Sequence, residues 1–158
     1  MPVRDATPDD LETILSLLRA LADYERMTDE VTLDDAEFGR WLFGDPPAGY
    51  VLLAIDKADD NDGGDKQEPV GMALWYPTFS TFLGRPGIWL EDLFVRPEFR
   101  GRGHGLALLQ TLGALSPGRV EWSVLDWNKP SIDFYEALGA RPVDGWTRYR
   151  WLPGEAAP

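Results

Sequence analysis

Apolar residues return at helical spacing between positions 11 and 22, at Leu11, Ile14, Leu15, Leu18, Leu21 and Ala22. Winding at 3.6 residues per turn gathers these positions into one stripe, so the pattern predicts an amphipathic helix with that stripe as its core face. Its start is marked chemically. Thr7 can cap it, Pro8 suits the first position, and Asp9, Asp10 and Glu12 complement the positive end of the helix dipole. Ahead of it, Pro2 to Asp5 reads as a short strand, and a second helix is predicted over Leu33 to Phe43, stopped by Gly44-Asp45-Pro46-Pro47. Strands are predicted at Tyr50 to Ile55 and Pro69 to Tyr76, with DKADDNDGGDKQE between them as a solvated hairpin loop. A further strand, IWLEDLFV from Ile88 to Val95, runs into RPEFRGRGHG, and a helix is predicted from Gly105 to Leu115. Asn128 and Pro130 open a last helix whose apolar positions are Ile132, Phe134 and Leu138 and whose stop is Gly139.

Composition narrows the chemistry. With 158 residues, 44% of them hydrophobic, the chain fits one domain over residues 1–158. No apolar run reaches the roughly 18 residues of a membrane helix, and acid stands where a signal peptide would be apolar, so a cytoplasmic protein with no membrane partner is expected. The absence of cysteine excludes disulfides, thiolate metal sites and thiol nucleophiles, and the single histidine argues against a zinc site or a serine–histidine relay. The acidic run at 56–68 has calcium-ligand composition but lacks the closing glutamate and flanking helices of an EF-hand, so no metal is expected. A net charge of −12 argues against nucleic acid as a partner. That charge is uneven: residues 1–68 hold 18 acids against 6 bases, and residues 69–158 hold 9 of each. Either the acids simply keep the surface solvated, or they set up a field that draws cationic substrates.

The glycines at 101, 103 and 105, set among Arg96, Arg100 and Arg102, lie where a strand gives way to a helix. Such a junction aims free amides and the positive end of a helix dipole at one point, which suits a pyrophosphate, and glycine lets the ligand reach the backbone. A P-loop is excluded because no Lys-Ser/Thr pair follows, and a dinucleotide fingerprint because Leu106 stands where its third glycine belongs. Arg100-x-x-Gly103-x-Gly105 resembles the acetyl-CoA pyrophosphate loop of the GNAT acetyltransferase superfamily. LADYERM at 21–27, LEDLFVRPEFRGRGHG at 90–105, DWNKPSIDFYEALGA at 126–140 and DGW at 144–146 resemble its diamine (spermidine/spermine) acetyltransferase branch, in the same order. The resemblance covers nearly the whole chain.

It implies an α/β fold, the GNAT acetyltransferase fold, with a twisted, mixed, mostly antiparallel sheet flanked by helices. It implies an N-acetyltransferase that uses acetyl-CoA and no metal, acts by direct attack of the amine in a ternary complex, and works as a homodimer. Matched residue by residue, Leu93, Phe94 and Val95 offer backbone to the pantetheine arm, and Arg100, Gly101, Arg102, Gly103, His104, Gly105 and Leu106 hold the pyrophosphate. Asn128, Lys129, Pro130 and Ser131 contact the cofactor farther along. Tyr135, on its own residues an amphipathic core tyrosine, becomes a contact to the cofactor and the acid that protonates the departing thiolate.

An alkylamine has a pKa near 10.4, so a base must take its proton near neutrality. Glu91 and Asp92 sit together in the strand before the loop, and strand alternation predicts that they face opposite ways. The match gives substrate contact and proton removal to Glu91 and leaves Asp92 a supporting carboxylate. Tyr24, Glu25, Glu91, Glu121, Trp122, Ser123 and Asp144 fall at substrate positions, implying a small cationic amine. Two departures loosen the diamine match, Ser80 where the branch has an acid and Phe82 where it has tryptophan, while GRPGIW carries one residue more than the branch. A diamine or polyamine, or a lysine-like amino acid such as thialysine, is the expected substrate. A protein lysine or N-terminal acetyltransferase and a non-catalytic acetyl-CoA sensor share the same motifs, although retention of Glu91 and Tyr135 argues against the sensor.

Overall fold

The structure, a computed structural model, describes residues 1–57 and 67–154. The reading of the acidic run as a solvated, metal-free loop falls largely on residues 58–66, outside the described residues. The chain groups into two compact units, Met1–Ser123 and Val124–Pro158.

The first unit is a five-stranded mixed sheet with helices on both faces. Strand β1 (Val3–Asp5) is followed by α1 (Leu11–Tyr24), α2 (Asp35–Phe43), β2 (Tyr50–Lys57), β3 (Gln67–Ser80), β4 (Arg85–Val95), α3 (His104–Leu115) and β5 (Val120–Trp122). Strand order follows chain order, antiparallel from β1 to β4 and parallel between β4 and β5. The helices form where the periodicity predicts. A single 3-10 turn over Pro8–Asp10 precedes α1, so Thr7 caps that turn and the α-helix itself starts at Leu11. Asp10 is buried there. Its carboxylate accepts the Thr7 amide at 2.8 Å and both guanidinium arms of Arg4 at 2.7 Å, which hold its pKa well below the ordinary range. At the start of α2, Asp34 accepts the Glu37 amide at 2.8 Å, a side-chain cap.

Alternation along the strands divides the core in two. Val51, Leu53, Met72 and Phe94 face Ile14, Leu17 and Leu21 of α1 and Leu42 of α2. Leu52, Ala54, Ala73, Ile88 and Leu90 face Leu108 and Leu112 of α3. On β4 the parity changes partway: Ile88 and Leu90 belong to the α3 face, whereas Phe94 belongs to the α1 face. The register explains this. Trp75 pairs with Leu90 and Leu74 with Asp92, so Glu91 is an extra residue with no partner on β3, a β-bulge.

In the second unit, Asn128 caps helix α4 (Lys129–Ala137) and Pro130 lies in its first turn. Gly139 takes φ +92° just past its end, the left-handed stop that glycine permits.

Candidate functional site

The bulge corrects one expectation from the sequence. Glu91 and Asp92 do not face opposite ways; both lie on the α1 face. Glu91 Oε2 accepts from Trp89 Nε1 at 2.8 Å and from Tyr76 Oη at 3.2 Å, and those two side chains are cross-strand partners on the face opposite Leu90. Asp92 shares its face with Phe94. Burial, reinforced by the negative charges of Glu91 and Glu25, pushes the Asp92 carboxyl from 3.8 up to about 7. Glu25, at the end of α1, is itself raised by burial. Three carboxylates from two elements therefore converge, and the partly buried Asp92 changes protonation near neutrality.

The end of α1 is fixed by its stop. Arg26 takes φ +59°, and the Met27 amide reaches back to the Ala22 carbonyl at 2.8 Å, closing the helix and setting Tyr24 and Glu25 at its rim.

From Val95 the chain passes through a 3-10 turn, Pro97–Phe99, into the glycine stretch. Gly101 and Gly103 take φ of +74° and +90°, which L side chains rarely adopt, and a Cβ built at Gly101 would meet nothing within 4 Å. The first bond of α3 runs from Ala107 N–H to the Gly103 carbonyl, so the amides of His104, Gly105 and Leu106 have no acceptor within the helix. This is an open cradle of amides at a positive helix end, and it fits a pyrophosphate.

The three arginines around it are tied down. The sequence puts the charge of Arg100 at the phosphates, but the structure lays its exposed side chain along Val95 and Tyr24. Its Nε donates to the Val95 carbonyl at 2.9 Å, and its guanidinium lies 4.6 Å from the Tyr24 ring centroid. Arg96 donates to Ser16 Oγ at 3.0 Å, and Arg102 reaches Asp56 at 3.4 Å and the Glu98 carbonyl at 3.3 Å. The His104 ring is buried against Asp56, so only its backbone faces the cradle.

On its other side β4 pairs with β5 only at Ile88, Trp89 and Leu90. Past Leu90, the edge carrying Leu93, Phe94 and Val95 has no ladder partner on that side among the described residues, and its backbone is free to accept an extended ligand. Of the substrate positions, Glu121 registers with Trp89 on the α1 face, while Trp122 registers with Leu90 and packs in the α3-side core. Arg119 Nε donates to Glu121 Oε2 at 2.7 Å, so that carboxylate is already paired. Ser123 ends the first unit.

In the second unit, Asn128 is buried and its Oδ1 accepts the Ser131 amide at 3.4 Å, while Lys129 pairs with Asp133 at 2.7 Å. Tyr135 is partly buried, its ring 5.4 Å from that of Phe134, and Asp144 is exposed. Among the described residues, no group of three or more His, Asp or Glu is arranged to hold a metal ion, and no helix is long and apolar enough to cross a membrane.

Comparison with known proteins places this arrangement. The model of the acetyltransferase (GNAT) family matches residues 11–140. Thialysine N-epsilon-acetyltransferase of Bos taurus is 37% identical over 163 residues, covering 98% of this chain and 93% of its own length. The L-ornithine N5-acetyltransferase NATA1 of Arabidopsis thaliana is 29% identical over 194 residues, covering 98% and 85%. Among solved structures, the aminoglycoside acetyltransferase meta-AAC0020 from an uncultured soil metagenomic sample superposes with a TM-score of 0.71 at 14% identity, over 96% of this chain and 95% of its own, and shares the fold.

Proposed function

This chain belongs to the GNAT acetyltransferase family and is an N-acetyltransferase, and we propose that it moves the acetyl group of acetyl-CoA onto the primary amine of a small cationic substrate, a diamine, a polyamine or a lysine-like amino acid. The observation that carries this is the amide cradle at Gly101–Leu106 lying directly after the open β4 edge and the Glu91–Asp92 bulge. Acetyl-CoA bound there supplies the activated acyl group. The amides ahead of α3 hold its diphosphate, and the backbone of Leu93, Phe94 and Val95 lines its arm and offers an amide to the thioester oxygen. Because Arg96, Arg100 and Arg102 are engaged elsewhere, backbone and helix dipole provide the recognition.

The converging carboxylates of Glu25, Glu91 and Asp92 attract an ammonium group, and one of them takes its proton. We assign that step to Asp92, since a carboxyl near pH 7 is matched to a base working near neutrality, and a positioning role to Glu91, held by Trp89 and Tyr76. Tyr135 is the acid that returns a proton to the leaving sulfur. The names of the relatives, thialysine and L-ornithine acetyltransferases, support a basic amino acid within the substrate class. The family model spans parts of both compact units, which supports one working domain, and the family resemblance supports a cytoplasmic homodimer.

Mass-spectrometric screening of free amines and lysine-containing peptides with acetyl-CoA tests the reading. Acetylation of small amines is the expected result. Acetylation of peptides alone would move the chain to protein modification.

A further inference from the structure

Cross-strand partners share a face, so the pairs Tyr76–Trp89, Thr78–Gly87 and Ser80–Arg85 continue the α1 face beyond Glu91 toward the tip of the β3–β4 hairpin. Glu121 joins that face beside Trp89. The face changes sign along its length. One end gathers Glu25, Glu91 and Asp92. At the other lies a cavity of about 110 Å³ whose lining includes Thr78, Ser80, Arg85, Gly87, Arg119 and Glu121. Arg119 neutralises Glu121 at 2.7 Å, and Arg85 has no ion-pair partner among the described residues. Two guanidinium groups against one carboxylate leave this end with a balance of +1.

We propose that this cavity receives the carboxylate of an amino-acid substrate whose terminal amine lies at the acidic end, making Arg85 and Arg119 determinants of specificity for a basic amino acid over the corresponding diamine. The inference rests on the amine-acetyltransferase reading above. Guanidinium groups present paired donors that match a carboxylate, and a second ammonium placed there would meet like charge. The backbone of Arg119 is level with Gly87, four strand residues or about 13 Å from Glu91, but its guanidinium reaches back to the Glu121 carboxylate, whose residue is level with Trp89 and about 7 Å from Glu91, a distance that the stem of a basic amino acid bridges. Ser80 fits this picture. Its hydroxyl accepts the Leu83 amide at 3.2 Å and shapes the tip, and it adds no negative charge to the cavity.

The test compares pairs that differ only in the carboxylate, L-lysine with cadaverine and L-ornithine with putrescine, by kcat/KM at low ionic strength. The parent should favour the amino acid of each pair. Arg85→Gln and Arg119→Gln should lower the amino acid to diamine ratio about tenfold or more, the loss expected for a charge-assisted hydrogen bond. Glu121→Gln, which frees Arg119, should raise it. A merely structural role for these residues would change both members of a pair alike and leave the ratio fixed. Equal or better use of the diamines by the parent overturns this inference while leaving the amine-acetyltransferase reading intact. Acetylation of peptides with no turnover of either free amine overturns both.

Discussion

His104 Nε2 lies 2.9 Å from Asp56 Oδ2, with the imidazole side chain entirely buried, so the first residue of α3 is tied to the end of β2. His104 is the only histidine in the chain, and it stands in the glycine stretch as a structural pin. Its hydrogen bond, followed by that of the Lys57 amide, holds the Asp56 carboxyl below its ordinary value. A depressed carboxylate contributes stability above its unfolded pKa, and that contribution is lost as pH falls through the folded value. His104→Leu should therefore destabilise the fold by about 1 to 3 kcal/mol, the range for a buried polar contact broken on one side. The loss should shrink in acid. Urea denaturation at several pH values checks it, and an equal loss at every pH would remove Asp56 from the account.

Gly103→Val should abolish CoA binding. The residue sits at φ +90° at the start of α3, and a branched side chain is strained there and intrudes on the cradle. Calorimetry on a variant that still unfolds cooperatively is the measurement. Unchanged affinity would mean that the diphosphate is held elsewhere.

Much of this architecture could be read from the chain because its punctuation is chemical. Asn128, Pro130 and Gly139 bound α4 by their backbone preferences alone, and the stripe from Leu11 to Ala22 needs only the helical period. Leu17, fully buried in the α1 core, falls outside that stripe as read, so the buried face is broader than the reading made it. Strand β5, Val120–Trp122, is only three residues long, too short to show a period. The bulge at Glu91 is the largest departure, because strict alternation puts the two carboxylates on opposite faces. A signal was present: two acids between Leu90 and Leu93 break the period of two. The placement of the Arg100 side chain has no such trace, since its contacts to Val95 and Tyr24 exist only once α1 and β4 are packed.

The contact between Arg100 and Tyr24 leads to a prediction. Arg100→Gln removes the charge over Tyr24 while leaving the loop backbone in place, so its main effect should fall on the amine. The amine KM should rise about twofold to fivefold, in line with an exposed cation–π contact, with a smaller change in the KM of acetyl-CoA. Initial rates with each substrate varied in turn separate the two. A loss confined to acetyl-CoA would return Arg100 to the phosphates.

Tyr135→Phe keeps the ring that packs beside Phe134 and deletes only the hydroxyl. As the general acid, it should cost roughly 10² to 10⁴ in kcat with little change in CoA affinity. Turnover within about twofold of the parent would leave Tyr135 a packing residue.

Asp92 and Glu91 are adjacent carboxylates on one face, and pH dependence distinguishes their roles. The Asp92 carboxyl is pushed up to about 7 from 3.8, so between those values the folded chain binds a proton that the unfolded chain has released. The sign follows directly: this group favours the fold fully below 3.8, and its contribution is lost as pH rises to about 7. Asp92→Asn should therefore be more stable than the parent at pH 8 and should lose that advantage in acid, as thermal denaturation at the two extremes would show. Activity should move the other way. If Asp92 takes the proton from the amine, the parent's kcat/KM rises with pH along a limb centred near 7. Asp92→Asn removes the limb and costs roughly 10² to 10⁴ in rate. Glu91→Gln should keep the limb but move it to lower pH, since it leaves the Asp92 carboxyl in place and removes a negative charge that helps to raise it. The reverse outcome, a limb kept in Asp92→Asn and abolished in Glu91→Gln, would return proton removal to Glu91 and leave Asp92 as the carboxylate that supports it.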